Sequence, residues 1–301
     1  MRKNWFYILI FLCLVSVLVW FSAFYNTSEN LKIIACDVGQ GDALFITTGS
    51  QQILIDGGPD NKVLLCLSTN MPFWDREIEL VILTHPEKDH FGGLIDVFEN
   101  YSVVNFITSG LSSSSKEYQV LKEEVGSSAT KVHSVKDGST IRLGLIGFEI
   151  VWPSREFLAN NSQKISEIGS DVIGSYTTSR NKNDFSIVSV FSFGNFDALL
   201  TGDIEDEASD AVAEKLLQKN IKGIEYIKVS HHGSKNGLSG KLLEVTNPKV
   251  AVISVGRNNS YGHPHAEVVK MLESYGLRVL RTDVMGDVVV QSNGISWQVK
   301  D

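Results

Sequence analysis

THPEKDHFGG, residues 84–93, follows directly on the apolar run ELVIL at 79–83, and reading this junction decides the fold. Four apolar residues in succession, Leu80–Leu83, read as a strand buried on both faces. The polar stretch that follows then emerges at the carboxyl end of a sheet. Within six residues it offers His85, Glu87, Asp89 and His90, all types that bind divalent ions through neutral imidazole or carboxylate. Gly92 and Gly93 permit close approach to a following helix, which the pattern predicts over 93–98.

The same arrangement recurs twice. LLTGD places Asp203 at a glycine turn after a buried strand, and IKVSHHGS places His231 and His232 after another. Of the seven histidines, six fall into three tight groups, the third being His263 and His265 in YGHPH. His133 stands apart and reads as a surface residue. Two imidazole-rich loops and a carboxylate placed to bridge are enough for a binuclear site. Lys228, Lys235 and Lys241 flank the HHGS segment, either as local positive charge for an anionic substrate or as solvated lysines.

Working outward, KIIACDV, ALFITT and QQILID alternate with the Gly-containing turns VGQGD and TGS, as in an antiparallel meander. Residues 62–67 are helical or extended. FSIVSVFSF, FDALLTGD, GIEYIKVS, VAVISVG and LRVLRTD read as strands, with helices over 205–218 and 266–275. Strands cluster early and late, each set flanked by helices, which predicts a layered α/β sandwich in one domain. Residues 159–184, rich in Ser, Asn and Gly, read as a solvated or partly disordered insertion, a lid being the alternative. Cys36 and Cys66 sit in apolar strings and are expected as two buried thiols.

The charge is uneven. Between Lys3 and Glu29 no residue is charged, and Trp5–Tyr25 is almost wholly apolar. Such a run spans about 31 Å as a helix, matching a hydrocarbon core of roughly 30 Å. The expected division is a cytoplasmic N-terminus (1–4), a transmembrane anchor or signal peptide (5–25), a linker (26–31) and a globular domain (32–301). Arg2 and Lys3 then orient a single pass in the cytoplasmic membrane with the globular part outside, secreted if the segment is cleaved. The chain carries 27 basic and 35 acidic residues, a net charge of −8. That excludes a nucleic-acid clamp acting by charge alone, and the composition excludes a disordered chain or a disulfide scaffold.

In sum of motifs and their order, the sequence resembles a metallo-β-lactamase-fold hydrolase: HxExDH at His85–His90, LIDGG around Asp56, TGD at Asp203 and HHGS at His231–Ser234. DVGQGD (Asp37–Asp42), Asn183 and Ser186 in NDFSIV, YGHP from Tyr261 and RTDVMG from Arg281 are similar to the C-terminal hydrolase domain of ComEC/Rec2 competence proteins. The resemblance covers about residues 32–298. It implies an αββα sandwich and a two-metal phosphodiesterase or nuclease role in DNA uptake, with DNA or another phosphodiester as substrate and a separate competence channel protein as possible partner.

Carried over by residue, His85 and Glu87 hold one ion, Asp89 and His90 the other, Asp203 bridges, and His231 or His232 completes the set. Asp89 and His263 are the expected catalytic residues. Asp37, Asp42, Asp56, Asn183, Ser186, Ser234, Tyr261 and His265 are expected to support the ligands or touch substrate. Glu87 stands where many members have His and competence proteins usually have Asp, and the separate third-motif histidine has no match. A carboxylate-rich set shifts preference from Zn²⁺ toward Mn²⁺. A lactone or amide hydrolase, and a non-catalytic membrane-tethered binding module, are the alternatives.

Overall fold

The computed structural model describes residues 2–25, 30–165 and 173–300, with side chains from residue 4 to 20 in the first segment. Helix α1 (Arg2–Tyr25) precedes the meander β1 (Leu31–Ala35), β2 (Leu44–Thr48) and β3 (Gln51–Ile55). Next come α2 (Lys62–Asn70), β4 (Glu77–Leu83), α3 (Lys88–Asn100), β5 (Ser102–Thr108), α4 (Lys116–Ser127) and β6 (Lys131–Ser134). The second half begins with β7 (Thr140–Leu143), β8 (Ile146–Trp152), α5 (Arg155–Asn161) and the two short strands β9 (Gln163–Lys164) and β10 (Tyr176–Thr177). It continues through β11 (Val188–Phe193), β12 (Phe196–Leu200), α6 (Asp206–Gln218), β13 (Tyr226–Lys228), α7 (Gly240–Thr246) and β14 (Val250–Ile253). The last elements are α8 (Ala266–Ser274), β15 (Arg278–Arg281), α9 (Thr282–Met285), β16 (Val288–Ser292) and β17 (Trp297–Lys300).

Two mixed sheets result, ordered β17-β16-β1-β2-β3-β4-β5-β6 and β15-β14-β13-β12-β11-β8-β7. Period-two alternation divides each strand between two cores. In β4, Leu80 and Ile82 face the second sheet, where they share a core with Phe148, Phe191, Ala198 and Val252. Val81 and Leu83 face the other way, onto Val63, Leu67, Leu94 and Leu121 of α2, α3 and α4. In β12 Leu199 does the same toward Val212 and Leu216 of α6, with Leu242 of α7 and Leu272 of α8 in that third core. This is the expected four-layer αββα sandwich.

The first-sheet strands β3, β4, β5 and β6 are mutually parallel, as are β12, β13, β14 and β15 in the second. Parallel order gathers the carboxyl ends of these strands along one edge of each sheet, the place where open α/β sheets bind ligands.

Several expectations are corrected. Among the described residues no helix is long and apolar enough to cross a membrane. The single-pass anchor over 5–25, and with it the assignment of the globular part to the outer side of the cytoplasmic membrane, is thereby overturned. Linker residues 26–29 lie outside the described residues.

Cys36 and Cys66 form a disulfide rather than two thiols, because packing of α2 on the end of β1 brings their Cα atoms to 5.8 Å, within bridging distance. Helix α3 begins at Lys88, not at residue 93. Gly92 and Gly93 lie inside it because a Cβ on either would strike backbone of the loop at 57–60, so lost helix propensity is exchanged for close packing. The 159–184 stretch is ordered where it is described: α5, the β9–β10 pair and a short helical turn at Lys182–Phe185. Residues 166–172 of it lie outside the described residues.

Candidate metal centre

Three loops at strand ends build the cleft. The segment after β4 carries His85 and, in the first turn of α3, Asp89 and His90. The turn after β12 carries Asp203, and the turn after β13 carries His231 and His232, both at positive φ (49° and 54°). A non-glycine residue rarely adopts that conformation, and here it persists at two successive histidines, as strain at functional loops does.

Ligand atoms of Asp89, His90, Asp203 and His232 all lie within 4.8 Å of one another. His90 Nε2 stands 3.1 Å from Asp203 Oδ2, and His232 Nε2 stands 3.2 Å from the same oxygen and 3.4 Å from Asp89 Oδ2. These separations match the edge of a tetrahedron, roughly 3.3 Å, drawn around an ion with ligand bonds of about 2.0–2.1 Å. The Nε2 atoms of His85, His90 and His232 and Oδ1 of Asp203 are buried with no hydrogen-bond partner. Buried polar atoms are ordinarily paired, and a convergent set of unpaired imidazole and carboxylate atoms is what a divalent cation requires. The residues present therefore fit a metal.

The opposite ring nitrogens are all held. His90 Nδ1 lies 2.8 Å from Asp56 Oδ2, and Asp56 also accepts from the Thr84 amide (2.8 Å) and hydroxyl (2.7 Å). His232 Nδ1 meets the Ser254 carbonyl at 3.0 Å and Asp42 Oδ1 at 3.2 Å. His85 Nδ1 lies between the hydroxyls of Thr84 (3.0 Å) and Ser186 (3.1 Å), and Ser186 also accepts the Asp203 amide at 3.1 Å. Such partners fix ring orientation and aim each Nε2 inward. Beneath them Lys228 is buried, its Nζ 2.7 Å from Asp42 Oδ2.

Electrostatics follow from this packing. Burial alone pushes the His90 and His232 imidazoliums down, yet Asp203 with Asp56 on one side and Asp42 on the other carries both well above the ordinary histidine value. Burial pushes Asp203 up, and the same two imidazoles bring it well below the usual carboxylate range. His85, buried and beside His90, falls to about 3. His263 falls to about 4, first through burial and then through the charges of His231 and His232.

Other expected residues lie around or away from this cluster. Glu87 precedes the first turn of α3 without a side-chain capping bond and turns outward to Lys182 Nζ at 2.8 Å, so it is not among the converging atoms. His231 points to Glu205 (3.5 Å) and Asn183 (3.4 Å), leaving its neighbour His232 in the cluster. The His263 ring sits 5.7 Å from His231 and 6.4 Å from His232, with Tyr261 stacked on it and His265 5.0 Å away. Ser234 is buried in the same loop. Asp37 is exposed and accepts the Gly39 amide, a turn contact. His133 is exposed on β6. Lys241 pairs with Glu214. Sequence reading missed Thr84, Ser254 and Lys182, since hydroxyls and carbonyls that orient a ring carry no pattern of their own.

The profile of the metallo-beta-lactamase superfamily matches residues 36–257. Among curated proteins, ComE operon protein 3 of Bacillus subtilis is 28% identical over 87% of this chain and 33% of its own length. Recombination protein 2 of Haemophilus influenzae is 28% identical over 86% of this chain and 28% of its own. Competence protein ComA of Neisseria gonorrhoeae is 24% identical over 86% and 32%. The chain thus spans about a third of the length of these relatives. Among solved structures, the metallo-beta-lactamase fold protein YhfI of Bacillus subtilis superposes with a TM-score of 0.53 at 10% identity, covering 87% of this chain and 100% of that one. CmlA, a diiron beta-hydroxylase of Streptomyces venezuelae, gives 0.53 at 13% identity, covering 87% and 54%. These two likenesses concern the fold.

Proposed function

The chain belongs to the metallo-beta-lactamase superfamily, and on that footing we propose that it is a two-metal phosphodiesterase acting on DNA, with residues 32–301 as its hydrolase domain. The observation that carries the reading is the convergence of unpaired His90 and His232 Nε2 atoms on Asp89 and Asp203. Relatives named for competence and recombination support a nucleic-acid substrate.

Asp89, His90, Asp203 and His232 would hold the metal, with His85 beside them; the carboxylates suit Mn²⁺ and the imidazoles Zn²⁺. When bound, the ions supply Lewis-acid neutralisation of phosphate charge and acidify water. Asp56, Asp42 and Ser186 keep the rings aimed. Asp89, the partly exposed member of the cluster (side chain 38% exposed), faces the entering group at the mouth of the cleft. His263, with its ring 5.7 Å from His231 and its basicity lowered by burial, is placed to hydrogen-bond a phosphate oxygen.

The test is hydrolysis of single-stranded and duplex DNA by the full chain with added Mn²⁺ or Zn²⁺, run beside a β-lactam and a lactone. DNA cleavage is expected with metal, and Asp203→Ala should lower it by 10³-fold or more (about 4 kcal/mol,). Equal cleavage in that variant or in excess chelator would sink the reading, as would turnover of the lactone or β-lactam but not of DNA.

A further inference from the structure

A second concavity lies along the same sheet edge as the metal cluster. It measures ≈ 390 Å³ and is lined by Lys136, Arg155 and Lys164 together with Ser109, Leu158 and Tyr176. No carboxylate lines it. All three cations are exposed, and none has an ion-pair partner among the described residues. On a chain of net charge −8, three uncompensated cations around one hollow set up a local field opposite to that of the whole molecule.

A second observation is independent of charge. Ser109 is 2% exposed, and its Oγ is buried with no hydrogen-bond partner. A hydroxyl both buried and unpaired costs stability unless something supplies its partner, and this one lines the hollow. A phosphate oxygen, accepting from Ser109 and attracted by Lys136, Arg155 and Lys164, answers both features.

Topology ties the hollow to the cluster. His85 lies just past β4, Ser109 just past β5 and Lys136 just past β6, and these strands are successive parallel neighbours. At about 4.8 Å per strand the hollow sits roughly 10 Å along the edge from the first metal-ligand loop. The wall between is continuous: Lys182 Nζ contacts both Glu87 (2.8 Å) and Ser113 (3.4 Å), and Tyr176 is joined to the 110–112 segment by paired backbone bonds. The Tyr176 ring, half-buried beside Gly110, lines the hollow together with the cations.

We propose that this groove binds the backbone of a single-stranded polynucleotide one or two phosphates away from the bond held at the metal cluster. The substrate class it names rests on the phosphodiesterase reading above. Cations tracking the backbone with an aromatic surface for a base is how single strands are held. A duplex keeps its bases stacked inside and has none to offer Tyr176.

The test uses the full chain. Fluorescence anisotropy of a labelled oligothymidylate, in EDTA, reads the groove without hydrolysis, and turnover of bis(p-nitrophenyl) phosphate with Mn²⁺ reads the cluster without the groove. The triple variant Lys136→Glu/Arg155→Glu/Lys164→Glu should bind the oligonucleotide at least tenfold more weakly. Its log–log salt slope should flatten by about two, near 0.7 per lost phosphate contact. Turnover of the small diester should stay within twofold. The charge-keeping Lys136→Arg/Lys164→Arg pair should bind like wild type, and Ser109→Ala should weaken binding by a lesser factor. Unchanged affinity in the triple variant, absence of wild-type binding, or equal preference for duplex overturns the proposal. Wild type that binds the oligonucleotide through the groove but leaves both diesters intact overturns the phosphodiesterase reading instead.

Discussion

Asp203 Oδ2 lies within 3.2 Å of Nε2 on both His90 and His232, so without metal one carboxylate favours the cationic form of two imidazoles. That arrangement has a definite pH signature. The folded values of His90 and His232 are raised, so their contribution to stability is complete below the unfolded value of about 6.5 and is lost as pH rises through the folded values. Asp203 is depressed, so its contribution is present above about 3.9 and is lost as pH falls through its folded value. Melting of the protein in EDTA should therefore show a decline in stability from pH 6.5 upward, and Asp203→Asn should make that decline shallower. Because ligands must be deprotonated to bind metal, loading at pH 7 should release protons, up to two from this pair, measurable by calorimetry in buffers of different ionisation enthalpy. No proton release and a flat alkaline limb would contradict the charge state assigned here. At this scale the histidines were legible from their position after apolar runs. Glu87 was not: its place just before the first turn of α3 turns it toward Lys182, a partner 95 positions away that no local pattern announces.

At the scale of elements, the Cys36–Cys66 bridge ties the end of β1 to the middle of α2, across a sequence separation of 30. Closing a loop of that length restricts the unfolded chain by about 3–4 kcal/mol in the chain-entropy account. Cys36→Ser/Cys66→Ser should accordingly unfold at lower denaturant by that amount, with the metal-ligand geometry kept, since neither sulfur touches the cluster. A loss under about 1 kcal/mol would show that the bridge contributes little. Sequence reading placed both cysteines inside correctly and missed the bond, because burial is a one-dimensional signal and pairing is not. The same distinction explains α3. Apolar periodicity located the helix, but its start at Lys88 depends on Gly92 and Gly93 meeting the loop at 57–60, a tertiary contact. The β1–β2–β3 meander, by contrast, was readable in full, since alternation and glycine turns are local properties.

For the whole molecule, the acidic net charge and the phosphate-directed reading are reconciled by where charge is placed. A cluster able to hold cations lies at the strand ends, and a cationic groove continues the same edge. The four layers were legible because strands cluster early and late in the sequence, each set flanked by helices. At this scale the uncharged N-terminal segment misled, since composition alone suggested a span that the described residues do not provide. The central claim is that the converging His and Asp side chains form a divalent-metal centre. Its most direct test is metal content per chain, by elemental analysis after loading the full chain with Mn²⁺ or Zn²⁺ and dialysis. Two ions per wild-type chain, falling to one or none in Asp203→Ala, is the predicted result. A wild-type chain that retains no metal would contradict the account.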